Sequence, residues 1–143
     1  MASQFYNDFM DAEFGNPIHT VVDLDTNNIR FQLTDEGAAA FNAADQDLAD
    51  FVAGLVTNGE SANLSSTTVG TVGDGVFDHA DEVLTSVSGA QSEAINYYLE
   101  SGTDSTSTAI SNHDDWTNLP ITPNGGNITI APAAGGVFSV TPT

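Results

Sequence analysis

The stretch from Ala94 to Ser111, AINYYLESGTDSTSTAIS, decides the fold. Ile95, Tyr97 and Leu99 fall on one side of an extended chain, and aromatic and β-branched residues suit a pleated surface. Gly102 to Ser105 supplies turn residues, and Thr106 to Ser111 then returns as the second arm of a hairpin. Residues 94–99 are therefore read as the central strand of an antiparallel sheet.

Working outward, short extended runs recur between turn signals. Val83 to Val87 alternates after an Asp78 to Asp81 turn, and Leu64 to Val72 is rich in Ser, Thr and Val. Downstream, Asn124-Gly125-Gly126 turns the chain into a strand begun by Ile128 and Ile130, and Gly136 to Val140 forms the last strand. Upstream, Ile29, Phe31 and Leu33 alternate with Arg30, Gln32 and Thr34, the pattern of a strand with one face in solvent. Ile18 to Asp25 reads as a weaker strand, closed by a turn at Asp25 to Asn28. Many short strands between Gly, Pro and Asn turns predict a mainly β chain, an antiparallel β-sandwich or jelly-roll-like domain.

Two segments read as helical. Leu48, Phe51, Val52 and Leu55 stand at i, i+3, i+4 and i+7, which predicts one packed α-helix over about 42–56, with Asn42 as N-cap and Asn58-Gly59 as its close. The segment 3–14 predicts a short N-terminal helix that starts at Ser3 and stops at Gly15-Asn16-Pro17. It places Phe5, Tyr6, Phe9 and Met10 on one face, more apolar surface than a short terminal helix needs. These four are the candidate contacts to a sister subunit or a larger assembly. A single domain over 1–143 is expected, with a β-rich body over 18–140.

The charge is the extreme feature of the composition. Asp and Glu total 20 against one Lys or Arg, Arg30, so the formal net charge of the 143-residue chain is −19. Nucleic-acid binding requires cations that displace phosphate counterions, and an anionic membrane repels the same chain, so neither partner is expected. No cysteine is present, which removes thiolate metal sites, thiol nucleophiles and disulfides. No run reaches the length of a bilayer span. Met1-Ala2-Ser3-Gln4 also has neither the basic nor the apolar region of a cleaved signal.

Site chemistry is sparse. Asp23, Asp25 and Asn27 open like a calcium loop, but Asn28 and Thr34 stand where that loop needs Gly and a bidentate Glu. Asp74, Asp78, Asp81 and Glu82, with His79 among them, are weak calcium candidates, and a plain turn built on Gly73 and Gly75 is the preferred reading. His19, His79 and His113 lack the spacing of a metal pair, and His113-Asp114-Asp115 reads as a solvated loop rather than half of a zinc site. No G-x-S-x-G elbow, activated serine or distinctive carboxylate pair is present, so no enzyme and no cofactor are expected.

The region from Gly73 to Val140 resembles a family of small virion structural proteins of tailed bacteriophages. Val76, Phe77, Asp78, Val87, Ser88, Gly89, Glu93 and Ala94 fall in the first shared block, and Thr103 to Thr106 match a shared turn. The third block, NLPITPNGGNITI, contributes Leu119, Pro120, Thr122 to Gly126 and Ile128 to Ile130. The opening Gln4-Phe5-Tyr6-Asn7 and the segment Asp23 to Ile29 are similar as well, and the likeness is weakest over residues 37–72. The family's usual lysines and arginines are missing here, and the stretch around 42–55 varies among members.

The resemblance implies a capsid decoration (cement) protein with no catalytic residues. It would be a homo-oligomer, a trimer by preference, bound to the phage major capsid protein on the outside of the head, made in the host cytoplasm and located in the virion. The acidity suits the exterior, because packaged DNA would repel this chain. The alternatives are a tail or head–tail connector component, or a carbohydrate- or receptor-binding β-sandwich module. The sole tryptophan, Trp116, in a polar Asp/Asn loop, is the residue that favours the last of these.

Overall fold

A computed structural model describes residues 4–7, 23–25, 28–70 and 75–139. Within them the chain is mainly β and every strand pairing is antiparallel. The strands are β1 (Gln4–Phe5), β2 (Ile29–Thr34), β3 (Leu55–Glu60), β4 (Thr68–Val69), β5 (Val76–Asp78), β6 (Glu82–Leu84), β7 (Ala94–Leu99), β8 (Ala109–His113), β9 (Ile128–Ile130) and β10 (Phe138–Ser139). They form a five-stranded sheet in the order β1-β8-β7-β2-β3, a three-stranded sheet β10-β5-β4, and a pair β6-β9.

Strand β7 is central, as its sequence predicts. It pairs along its whole length with β2, setting Phe31 opposite Tyr97 and Leu33 opposite Ile95, and it forms the hairpin with β8. The turn of that hairpin is a short 3-10 segment, Asp104–Thr106, so β8 begins at Ala109 rather than at Thr106. Because side chains alternate, one face of the sheet carries Ile29, Phe31, Leu33, Ile95 and Tyr97. This face packs against Phe77, Leu84, Ile130 and Val137 from the smaller sheets, giving a sandwich-like main core.

The polar face of β2 is not in solvent. Gln32 and Thr34 are fully buried, which corrects the half-buried reading of that strand. A second apolar layer covers it, in which Tyr6, Leu48 and Phe51 pack on Tyr98 and Ala109 of the sheet itself. Between that layer and the sheet runs a chain of side-chain hydrogen bonds. The Tyr6 hydroxyl donates to Asn96 Oδ1 at 2.7 Å, and Asn112 Nδ2 donates to the same oxygen at 3.0 Å. Asn96 Nδ2 and Gln32 Nε2 both donate to Thr34 Oγ1, at 2.8 and 3.1 Å. Neighbouring strands thus supply partners to most of the buried polar atoms, while Gln32 Oε1 and Asn112 Oδ1 find none among the described residues.

The packed helix is much shorter than predicted. It covers Leu48–Phe51 and continues as a 3-10 turn, Val52–Gly54. Its N-cap is Asp47, not Asn42: Asp47 Oδ1 accepts from the Ala49 N–H, and Asp50 reaches back to complete a capping box. Asn42 instead organises its own turn, accepting from the Ala44 N–H. Leu48 and Phe51 are buried, whereas Val52 is half-buried and Leu55, also half-buried, already belongs to β3. Gly54 ends the helix by contact: a Cβ there would stand 2.6 Å from Thr34 Cγ2 and 2.9 Å from the Asp35 carbonyl oxygen. Asn58 and Gly59 lie within β3, at an irregularity where five residue steps from Leu55 to Glu60 span two steps of β2.

The other boundaries shift modestly. Only Thr68–Val69 of the 64–72 run pairs as a strand, with residues 71 and 72 outside the described ones. The run predicted from Val83 to Val87 is a strand at Glu82–Leu84, and the last strand is Phe138–Ser139. At the N-terminus, Gln4 and Phe5 form an edge strand on β8 instead of the first turn of a helix. Residues 8–22 lie outside the described ones, and with them Phe9, Met10 and the strand read at 18–25 apart from its last three residues.

Candidate functional site

The four residues predicted to share one helical face do not do so at Phe5 and Tyr6. As consecutive residues of an extended segment they point to opposite sides of the sheet. Phe5, half-buried, meets Phe138 edge-on at 4.9 Å on the main-core side. Tyr6 is fully buried in the second layer, with its ring stacked on Phe51 at 5.5 Å. Burial pushes the Tyr6 hydroxyl well above its ordinary range, so it stays a neutral donor. The surface of Tyr6 is used inside the chain, which takes it out of any outer contact face.

The acidic candidates are dispersed. Asp78 closes β5 and its Oδ1 accepts from the His79 N–H at 2.9 Å, Asp81 is exposed, and Glu82 opens β6. Asp74 lies outside the described residues. Asp23 and Asp25 form a small turn in which the Asp25 N–H donates to Asp23 Oδ1 at 3.3 Å. Among the described residues no three His, Asp or Glu side chains converge as metal ligands.

Histidines contribute to the core in a way the sequence did not suggest. His113 ends β8 and is 1% exposed, which overturns the reading of that position as a solvated loop. A bulge opposite Tyr97 and Tyr98 turns Ile110 and Ser111 to the same side, and His113 follows them there. Its Nε2 lies 3.0 Å from Ser111 Oγ, and its ring stacks on Phe138. His79 is also buried, with Nε2 at 2.9 Å from the Tyr97 hydroxyl and Nδ1 against the Ala80 carbonyl. Desolvation lowers both imidazoles, His113 to about 4, so both are neutral near pH 7.

The one guanidinium of the chain is already engaged. Arg30 lies 3.8 Å from Glu60 and 3.4 Å from Glu100, and its Nε donates to Asn63 Oδ1 at 2.7 Å. The Tyr98 hydroxyl donates to Glu60 Oε1 in the same group. Burial, followed by that hydrogen bond, holds the Tyr98 phenol far above its usual range.

Among the cavities that the described residues form, two are of similar size. The first, about 500 Å³, lies between the turn after β8 and the loop joining β9 to β10, and Trp116, Asp115, Asn118, Thr129 and Val137 are among its walls. Trp116 is half-buried and rests on His113, at 5.9 Å between ring centroids, and on Tyr97 at 6.5 Å. The second, about 510 Å³, is lined by Asn58, Glu60, Glu82 and Val83 and has no aromatic wall. No helix among the described residues is long and apolar enough to cross a membrane.

No family model matches this chain, and a search of curated proteins gave no match either.

Proposed function

We propose that this chain is a virion structural protein, a decoration subunit that binds the outside of a tailed-phage head and braces neighbouring major capsid subunits as a trimer. The observation that carries the reading is where the family-like blocks fall. Thr103 to Thr106 close the β7–β8 hairpin in a 3-10 turn held by the hydroxyls of Ser101, Thr106 and Ser107. Asn124 caps its own turn by accepting from the Gly126 N–H at 3.0 Å. Ile128 and Ile130 carry β9 into the main core. The shared residues thus serve frame and turns, the expected investment of a rigid building block.

The charge gives the second support. A net −19 with its single guanidinium paired to Glu60 and Glu100 leaves a surface that repels packaged DNA and favours the outer face of a shell. The chain can then dock on a capsid through basic groups supplied by the capsid, or through apolar and hydrogen-bonded contacts.

The test is reconstitution. The purified chain is mixed with tailed-phage heads assembled from a major capsid protein, the heads are sedimented, and the bound protein is imaged at its symmetry positions. Saturable binding at three-fold positions on the outer surface is the expected result. Heads that leave the chain in the supernatant while tails retain it would overturn the decoration reading in favour of a connector or tail component.

A further inference from the structure

We propose that the cavity beside Trp116 binds a neutral saccharide, with a pyranose ring laid against the indole. The inference is independent of the virion reading, because it concerns the isolated chain. Three features of the cavity carry it.

The first is its composition. A sugar ring has an apolar C–H face and a rim of hydroxyls, so its site needs an aromatic or aliphatic wall beside a few polar groups that both donate and accept. Trp116 and Val137 provide the wall, while the Asn118 amide, the Thr129 hydroxyl and the Asp115 carboxylate provide the rim. At about 500 Å³ the cavity falls within the range of roughly 300–1,000 Å³ usual for small-ligand sites.

The second is charge. Among the described residues no cation lines the cavity, and His113 at its wall is neutral near pH 7, so a phosphate, sulfate or carboxylate would meet only the field of an acidic chain. One carboxylate is also far short of the six to eight oxygens that a calcium ion takes. A neutral polyhydroxylated ligand is the class these walls suit.

The third is rigidity. Trp116 is braced from behind by His113 and Tyr97, and its carbonyl accepts from the Leu119 N–H at 3.0 Å, closing the turn that presents Asn118 at a φ of 77°. The opposite wall is fixed at Gly136. Its φ is 79°, and a Cβ there would lie 2.6 Å from the Phe77 carbonyl oxygen, a position glycine alone fills without strain. A preformed site of this kind loses little entropy when a ligand enters.

Trp116 is the only tryptophan of the chain, so its emission reports on this cavity alone. The full chain is titrated with the methyl glycosides of glucose, galactose and mannose, with N-acetylglucosamine and with cellobiose. Glycerol and tetramethylammonium chloride serve as controls for hydroxyls without a ring and for a quaternary ammonium cation held by the indole face alone. The expected result is a saturable change in Trp116 emission with at least one saccharide and none with either control. Asn118→Gly combined with Thr129→Val, which removes rim groups while respecting the backbone, should weaken that saccharide about tenfold, with the melting temperature checked in parallel. Saturation-transfer NMR on the sugar should lose its signal in Trp116→Ala. A flat titration with all five saccharides, a response to tetramethylammonium alone, or affinity unchanged in a folded double variant would overturn the proposal.

Discussion

Tyr6 and Asn96 stand ninety positions apart in the chain, and the Tyr6 hydroxyl donates to Asn96 Oδ1 at 2.7 Å. This bond ties the edge segment that follows β1 to the central strand, and Asn112 from β8 shares the same acceptor. Tyr6→Phe removes one donor and leaves Asn96 Oδ1 paired with Asn112, so it should cost only about 1 kcal/mol. Asn96→Leu takes the acceptor from both the Tyr6 hydroxyl and the Asn112 amide and removes one of the two donors to Thr34 Oγ1, and should cost more than twice as much. Urea unfolding at neutral pH checks the order; equal losses in the two variants would show that the bond does not act through Asn96.

Phe51 is 1% exposed and sits between Tyr6 and Tyr98. Phe51→Ala should destabilise the chain by roughly 3–5 kcal/mol, the range for truncating a buried aromatic. Val52→Ala, one residue along and half-buried, should cost well under half of that. Thermal or denaturant unfolding of the pair separates a helix that anchors the second layer from one that merely lies on the surface.

Acid should weaken the fold through His113. Its folded-state pKa is lowered by burial from 6.5 to about 4, so in that window the unfolded chain takes up a proton that the native one refuses. Above pH 6.5 both states are neutral at this ring and nothing is lost. Between pH 6.5 and about 4 the contribution falls by roughly 1.4 kcal/mol per unit, and below that it levels off. Carboxylates raised by burial, Glu36 and Asp45, act in the opposite sense as pH falls. The measurement is therefore the difference between wild type and His113→Gln, followed by denaturant unfolding from pH 7.5 to 4. Parallel curves would remove His113 as the cause.

Arg30→Gln should matter most at low salt. It leaves Glu60 and Glu100 facing each other beside Tyr98 without the one guanidinium that separates them. Partly exposed pairs are worth about 0–1 kcal/mol, and screening shortens from about 30 Å at 0.01 M to about 8 Å at 0.15 M salt. The variant's loss of stability should accordingly shrink as sodium chloride is added. A loss independent of salt would mean that Arg30 acts through its aliphatic stem and the Asn63 bond.

Periodicity and turn chemistry determined the mainly β class, the central place of β7, its hairpin with β8 and the strand at Ile128–Ile130, because each is a local signal read within a dozen residues. The single apolar arc Leu48, Phe51, Val52, Leu55 also announced a helix. It could not reveal that Gly54 would be pressed against Thr34 and Asp35, ending the helix after one turn and sending Leu55 into a strand. Tertiary structure alone decided the second face of the sheet. Gln32, Thr34, Asn96 and Asn112 look like solvent positions in sequence, yet they are buried because residues from separate segments cover them while they hydrogen-bond one another, with only Gln32 Oε1 and Asn112 Oδ1 left without a partner among the described residues. The same holds at His113, which a bulge in β8 turns into the core, and at Trp116, which that core then props against a cavity. A linear pattern records which residues prefer water, but only the packed chain decides which polar groups find partners good enough to leave it.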